Sequence, residues 1–151
     1  MAIRKIVTIP DVILSTPSQG VSNPLSEDIK SLISDMKETV LSVNGFGIAA
    51  PQVGVSSRVV VISFKNTQFG LINPEITWTS SGTSVLEEGC LSIPKIYFPI
   101  ERPKKVKVKA LNELGEEIEI EGKDMLAKIL QHEIDHINGV VIADYAKKQK
   151  V

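Results

Sequence analysis

The feature that most constrains this chain is a set of polar residues on the buried side of a predicted helix. Apolar periodicity predicts a helix from Asp124, its N-cap, to residues 138–139. His132, Glu133 and His136 fall on or beside its core-facing stripe. Burying polar groups without partners costs free energy, so two imidazoles and a carboxylate directed at a core indicate a built site. The members of the apolar stripe are Met125, Leu126, Ile129, Leu130 and Ile137.

These polar residues form the pattern H-E-x-x-H. Residues four apart on a helix lie on one face, so His132 and His136 can bind the same metal ion, with Glu133 beside it as a non-ligand. The chain has two histidines, and both belong to this pattern. The pattern therefore predicts a metal site rather than two packed histidines.

A catalytic metal site of this kind needs a third protein ligand and one open position. The metalloprotease pattern would place a histidine at position 142, which is Ile142, and no glutamate follows Glu133. Asp144 is the remaining acid on that side, and Cys90, the single cysteine, is the upstream candidate. A free cysteine is ordinarily a small buried hydrophobe, but beside two histidines lacking a third ligand, Cys90 is the preferred ligand.

Composition excludes several other classes of protein. A length of 151 residues predicts a single domain over 1–151, with 42% hydrophobic and 23% charged residues. Because 17 basic residues stand against 18 acidic ones, neither a nucleic acid nor a membrane is an expected partner. One cysteine excludes an internal disulfide framework. We expect a cytoplasmic protein, or a mature form from which a targeting segment was removed.

Local patterns predict the remaining elements. A first helix begins after the N-cap Ser26 and ends at residues 44–45. Residues 45–54 are predicted to form a tight turn into a strand, and Pro94 to Pro103 an irregular crossover because of its three prolines. Strands are predicted at 58–64, 70–76 and 84–87, and as an alternating pair around Val106 to Ala110 and Ile118 to Ile120.

Three segments of the chain together resemble the peptide deformylase family. The segments occur in the same order and at the same spacing as in the family, and the resemblance extends from about Ile6 to Tyr145. The matching motifs are Gly45-x-Gly47-x-Ala49-Ala50-Pro51-Gln52, Glu88-Gly89-Cys90-Leu91-Ser92 and Gln131-His132-Glu133-x-Asp135-His136. The resemblance implies an α+β fold in which antiparallel β-sheets surround a central helix that carries the metal motif. It also implies the reaction, removal of the formyl group from the N-terminal formyl-methionine of newly made peptides.

The resemblance implies a role for each residue of the reaction centre. Cys90, His132 and His136 would hold one divalent ion, Fe(II) first, with Zn, Ni or Co as other metals that this donor set accepts. Glu133 would act as general base and then as general acid. The oxyanion would be met by the Gln52 side chain and the Leu91 backbone N–H.

The resemblance also implies how substrate binds. Phe46, Met125 and Ile129 match positions that line the methionine pocket, although core packing is the ordinary role of such residues. Gly47 and Gly89 match positions where substrate backbone pairs in strand fashion. Tyr97 stands where some members have an arginine, which leaves preference beyond methionine open.

The chain looks like a short form of the family that lacks its C-terminal helix, since six residues follow Tyr145. That helix is linked in the family to ribosome docking, so docking is not carried over, and we expect a monomer that acts on formyl-methionyl peptides. Short forms occur in phages, so the expected location is the cytoplasm, the host cytoplasm for a phage protein, or an organelle after removal of a targeting segment.

Two other functions use the same residues differently. A zinc peptidase would use His132, His136 and Asp144, and would keep its metal after Cys90→Ala. A catalytically inactive binder of formylated peptides would have no need of Glu133. A structural metal site would fill all four coordination positions with protein ligands, whereas the sequence offers three good ligands, which argues against a structural site.

Deleting Lys147 to Val151 should leave catalysis intact, because all the predicted chemistry lies between Gly45 and His136. We expect the kcat on a short formyl-methionyl peptide to stay within about twofold, a barrier change under about 0.5 kcal/mol. Steady-state formate release by the full and shortened chains tests this. A folded but inactive short form would mean that the tail reaches the site.

Overall fold

The structure is a computed structural model that describes residues 2–149, with side chains through Tyr145. Its three helices are α1 (Glu27–Ser42), α2 (Asp124–Ile137) and α3 (Ile142–Gln149). Its strands are β1 (Gly47–Ala49), β2 (Val59–Phe64), β3 (Thr67–Thr79), β4 (Thr83–Cys90), β5 (Ile93–Pro103), β6 (Lys105–Leu111) and β7 (Glu117–Lys123). Short 3-10 turns occupy Val12–Ser15 and Ala50–Val53.

The strands form two antiparallel sheets. Five strands pair in the order β1-β2-β3-β6-β7, and β4 pairs with β5 as a separate two-stranded sheet. In this arrangement β1 and β4 are both edge strands, each with one partner. The predicted α+β class with antiparallel sheets is confirmed.

Strand β2 explains how the layers are ordered. Side chains of a strand alternate between its faces, and all four residues from Val59 to Ile62 are fully buried. Val60 and Ile62 pack in the core that contains α2, whereas Val59 and Val61 pack in the core that contains α1. The sheet is therefore covered by a helix on each face, which accounts for the unbroken apolar run in the sequence.

Helix α2 is the central helix that the sequence predicts. Leu130 and Ile137 are fully buried against residues of β2, β3 and β6. Its other side meets the two-stranded sheet, where Arg102 of β5 contacts Asp135. Met125, predicted on the core-facing stripe, is instead 39% exposed, because it belongs to the first turn of the helix and borders a cavity.

Helix boundaries agree with the sequence to within about two residues. The Ser26 hydroxyl accepts from the Ile29 N–H and caps α1, as predicted. The predicted N-cap of α2 is wrong by one residue, since Lys123 holds that position and Asp124 is the first helical residue. Within residues 2–149, no helix is both long and apolar enough to cross a bilayer.

The predicted irregular crossover from Pro94 to Pro103 is wrong, because the structure forms strand β5 there. Pro99 lies opposite Glu87 and Pro103 opposite Thr83 in the β4–β5 ladder. In a two-stranded sheet every strand is an edge, so a proline whose missing N–H would face outward costs no ladder hydrogen bond. Proline spacing is therefore compatible with this strand.

The residues after Tyr145, which the sequence reading expects to lack a helix, instead continue a helix as far as Gln149. Helix α3 begins at Ile142, and the Asp144 carboxylate accepts from the Val141 N–H at its start. Val141 and Ile142 pack with Leu14 and Ile100, which fixes the helix against β5 and the N-terminal segment. A third helix therefore continues the fold up to Gln149.

Close packing of β7 on α2 should make Gly122 intolerant of a side chain. A Cβ there would lie 2.8 Å from Leu130 Cδ1 and 3.3 Å from the Ala127 nitrogen, and both neighbours are fully buried. We expect Gly122→Ala to lower the free energy of unfolding by about 1–3 kcal/mol, measured by urea denaturation.

The matched control is Gly82→Ala, where a Cβ meets nothing within 4 Å. We expect that variant to stay within about 0.5 kcal/mol of the unsubstituted protein. Equal costs at the two positions would show that the β7–α2 contact does not constrain the helix.

Candidate active site

Three side chains that could hold a metal ion meet where the end of β4 faces α2. One donor atom from each of Cys90, His132 and His136 lies within 4.8 Å of the other two. The Cys90 Sγ is 3.2 Å from His136 Nε2, and the two imidazole centroids are 5.1 Å apart. The helix supplies two donors because four residues complete about one turn, and the strand end supplies the third.

The orientation of His132 is set by Glu88. Glu88 Oε1 lies 2.9 Å from His132 Nδ1, and the Glu88 side chain is 1% exposed. Arg102 in turn donates from Nε and Nη2 to the two Glu88 oxygens, at 2.6 and 2.9 Å. A carboxylate that holds Nδ1–H fixes the imidazole tautomer and leaves Nε2 free as a ligand atom.

Arg102 also ties the two-stranded sheet to α2 and α3. Its Nη1 donates to Asp135 Oδ2 at 2.8 Å and to the Tyr145 hydroxyl at 3.3 Å. The Tyr145 hydroxyl donates to the same Asp135 oxygen at 2.6 Å, and the Tyr145 ring lies 4.9 Å from the guanidinium carbon. Burial raises the pKa of Tyr145, and the Asp135 contact adds to this to give about 12, so the phenol stays a donor at neutral pH.

The electrostatics of the cluster favour a cation. Burial would raise the pKa of Glu88, but hydrogen bonds with His132 and Arg102 outweigh burial and hold that pKa below its ordinary value. Burial lowers the pKa of His132, yet hydrogen bonds with Cys90 and Glu88 outweigh it and raise the pKa to about 10. Positive charge on the His132 imidazole is therefore stabilised by the groups around it.

The donor set fits a divalent transition metal. One thiolate and two imidazoles are the ligand types that Fe, Co, Ni and Zn accept, and three protein ligands leave a coordination position open. Burial lowers the pKa of His136 well below its ordinary value, so this imidazole is neutral, as a ligand must be. Among residues 2–145, this is the cluster of histidine, cysteine and acidic side chains that could hold an ion.

Glu133 lies beside this cluster in a confined space. Its side chain is 4% exposed, and its Oε1 has no hydrogen-bond partner among the described residues. Burial raises the pKa of Glu133 to about 7. A Cβ on Gly47 would lie 2.8 Å from the Glu133 carboxylate, so glycine at the start of β1 admits this side chain. A carboxyl group that titrates near neutral pH can both accept and donate a proton.

Gln52 has a fixed amide on the opposite side of Cys90. Its Oε1 accepts from the Ala49 N–H at 2.9 Å, and its Nε2 contacts Ser92 Oγ at 3.2 Å and Cys90 Sγ at 3.6 Å. The amide donor is therefore directed at the cysteine rather than at solvent. The N-terminal segment supports both partners, because the Val7 N–H donates to the Gln52 carbonyl and the Ile9 N–H to the Ser92 carbonyl.

A cavity of about 460 Å³ opens onto the cluster. Phe46, 59% exposed, and Met125 stand at its mouth, and the buried Ile129 lies within its wall. Leu91 and Gly89 border it from the end of β4. The Tyr97 ring covers Gly89, since a Cβ on that glycine would lie 2.5 Å from Tyr97 Cε1.

The structure brings together all the residues that sequence reasoning selects for the site. They line one cavity, apart from His136, which meets Cys90 beneath it. Sequence reasoning gives no role to Arg102 or Tyr145, and none to Glu88 or Asp135 beyond their places in the motifs. The local sequence around Arg102 carries no signal of the two carboxylates with which it pairs, so tertiary structure alone reveals this group.

Comparison with known proteins identifies the family. The family profile described as polypeptide deformylase matches residues 3–151. The chain belongs to this family. It is 44% identical to peptide deformylase 1 of Burkholderia multivorans, covering 99% of this chain and 84% of that protein. It is 49% identical to peptide deformylase 1 of Clostridium acetobutylicum, covering 95% of both.

Solved structures agree with this membership. The peptide deformylase of Thermotoga maritima matches with a TM-score of 0.93 at 41% identity, over 96% of this chain and 98% of that one. The Ehrlichia chaffeensis peptide deformylase in complex with actinonin matches with a TM-score of 0.95 at 38% identity, over 99% and 92% of the two chains. The family and the fold predicted from the three motifs are confirmed, and the metal-dependent enzyme class follows from membership.

The cluster makes a prediction about the Cys90 thiol. If Cys90 binds the ion, it should resist thiol reagents in the metal-loaded protein and react after chelation, because the coordinated sulfur is not a free nucleophile. Because the chain has one cysteine, any thiol reaction that is observed comes from Cys90. Titration with a chromogenic disulfide before and after chelation measures it, and equal reaction rates in the two states would contradict ligation.

Proposed function

We propose that this chain works as a single catalytic domain that removes the formyl group from the N-terminal formyl-methionine of newly made peptides, releasing formate. The observation that carries the proposal is the Cys90, His132 and His136 cluster opening into a cavity beside a buried Glu133 carboxyl. Membership of the deformylase family supports the same reaction.

Cys90, His132 and His136 would hold one divalent ion, for which we propose Fe(II). When bound, the ion supplies Lewis acidity, which brings the pKa of water at the site toward about 7 and polarises a carbonyl. Ferrous iron beside a thiolate is oxygen-sensitive, which favours a reducing cytoplasm as the working location. Anaerobic purification followed by metal analysis distinguishes iron from zinc, nickel and cobalt.

Glu133 performs the proton transfers of this mechanism. It accepts the proton of the attacking water as the water oxygen bonds to the formyl carbon. It then donates that proton to the departing amine nitrogen as the carbon–nitrogen bond breaks, which leaves formate and a free peptide N-terminus. A carboxyl group with a pKa of about 7 is suited to both steps, and its Oε1 has no hydrogen-bond partner among the described residues.

The negative charge that develops on the formyl oxygen needs hydrogen-bond donors. The Gln52 amide is held by the Ala49 N–H, so its NH₂ group is already directed toward Cys90 before substrate arrives. The backbone N–H of Leu91 is the second donor in this proposal. Donors that need no reorganisation stabilise a developing oxyanion more than mobile ones.

Two edge strands offer a place for the peptide. Gly47 lies on β1 and Gly89 on β4, and both border the cavity. A peptide that pairs with these edges would carry its N-terminal methionine side chain into the space bordered by Phe46, Met125 and Ile129. The exposed Tyr97 ring at the rim would meet later residues of the substrate.

The two alternative functions fit the structure less well. The Asp144 carboxylate accepts from the Val141 N–H at the start of α3, so it serves as a helix cap and not as the third ligand of a peptidase. An inactive peptide binder would not need a buried carboxyl such as Glu133, whose burial costs free energy. Metal retention after Cys90→Ala would favour the peptidase.

Replacing the proposed base tests the mechanism. We expect Glu133→Gln to keep its metal and lose at least about 10²–10⁴-fold in kcat, because the amide cannot accept the water proton. Formate release from formyl-Met-Ala-Ser and metal content per protein are the two measurements.

The matched control is Glu117→Gln, a conversion of the same type on the exposed face of β7, which we expect to leave both values unchanged. If Glu133→Gln lost its metal together with activity, Glu133 would be a ligand or a structural residue. Full turnover in that variant would exclude its role as the base.

A further inference from the structure

Tyr145 is the outermost member of a hydrogen-bonded series that ends at a proposed metal ligand. Its hydroxyl donates to Asp135 at 2.6 Å, and Asp135 accepts from Arg102 at 2.8 Å. Arg102 holds both oxygens of Glu88, and Glu88 contacts His132 Nδ1 at 2.9 Å. The series thus joins α3 to α2 through β5 and β4.

Two carboxylates in this series compete for one guanidinium. Glu88 and Asp135 are two carboxylates that share one guanidinium, with Glu88 fully buried and the Asp135 side chain 20% exposed. Arg102 therefore has two competing acceptors. A partly buried carboxylate is stabilised by hydrogen-bond donors. Without another donor, Asp135 would therefore compete more strongly with Glu88 for the Arg102 guanidinium.

The Tyr145 hydroxyl is that other donor. It bonds to the same Asp135 oxygen that Arg102 contacts, and its ring packs 4.9 Å from the guanidinium carbon. The phenol thus satisfies Asp135 and restricts the guanidinium on one side. Arg102 then keeps its bidentate contact to Glu88, a strong geometry for a guanidinium and a carboxylate, alongside its single contact to Asp135.

We propose that Tyr145 is a positioning residue of the metal centre: by satisfying Asp135 it keeps Arg102 on Glu88, and Glu88 then keeps the His132 imidazole aimed at the ion. This inference rests on the proposed metal site, and it extends the functional unit beyond His136 to α3.

The test measures the affinity of the protein for Co(II) in competition with a chelator. Removing a group that holds a ligand directly costs about 10- to 100-fold in affinity, which is the loss expected for Glu88→Gln. Tyr145 acts further out, so for Tyr145→Phe we expect a loss of about 3- to 10-fold, with a faster release of Co(II). The phenylalanine ring keeps the packing against Arg102, and Glu88→Gln keeps an amide oxygen for His132.

A double-mutant cycle separates positioning from a general effect on folding. If Tyr145 acts through Glu88, Tyr145→Phe in the Glu88→Gln background should change the Co(II) affinity by less than about twofold. The proposal would be overturned if the double variant lost Co(II) affinity by the product of the two single fold-losses. An unchanged affinity in Tyr145→Phe alone would also overturn it.

The matched control is Tyr97→Phe, which removes the same hydroxyl from the tyrosine over Gly89 and should keep the Co(II) affinity within about twofold. An equal loss in Tyr97→Phe would overturn the assignment to Tyr145.

The thiolate-to-cobalt absorption band reports the ligand set independently of turnover. If that band were absent from the unsubstituted protein, the proposed metal site would fail, whereas a normal band with no effect of Tyr145→Phe would refute only the role of Tyr145.

Discussion

The buried ion pair between Arg102 and Glu88 is the interaction on which the rest of the site depends. It joins the paired strands β4 and β5, and each partner extends it to α2, Glu88 through His132 and Arg102 through Asp135. A buried ion pair contributes little net stability, but losing one partner leaves an uncompensated charge in the interior. The pair therefore acts mainly by specifying geometry. Cys90 follows Glu88 by two residues, so the same pair also sets the position of the sulfur relative to the helix.

Close packing at glycines brings the remaining parts of the site together. Gly47 lets β1 approach α2 closely enough for Glu133 to lie against the strand, and Gly122 does the same for β7 at Leu130. The polar face of α2 can then be largely buried beside the cavity, because apolar residues of the same helix pack into the sheet core. The site is thus a consequence of a helix held on several sides and not of a mobile loop.

The buried charges explain why this arrangement suits hydrolysis. Glu88 and Cys90 stabilise positive charge at His132, and burial brings the pKa of Glu133 to about 7. The two tasks of hydrolysis are therefore separated in this site. A bound cation would activate the water, and the carboxyl group, which titrates near neutral pH, would move its proton. The two neighbouring carboxyl groups differ because Glu88 is paired with Arg102 whereas Glu133 Oε1 is unpartnered.

The sequence alone determined the features that depend on local periodicity and on the small number of residues able to bind a metal. The spacing of His132 and His136 specifies a shared helix face, and a single cysteine limits the choice of a third ligand. Alternation predicted β6 and β7, and Ser26 predicted the start of α1. Tertiary structure alone decided which distant groups meet: Arg102 lies 14 residues from Glu88 and 43 from Tyr145, and no local pattern relates them. It also decided that the proline-rich segment pairs as a strand and that Met125 faces the cavity, because both depend on which neighbouring element covers each side. Hydrogen bonding within one helix acts over four residues and can be read from sequence, whereas the pairing of buried charges requires the folded chain.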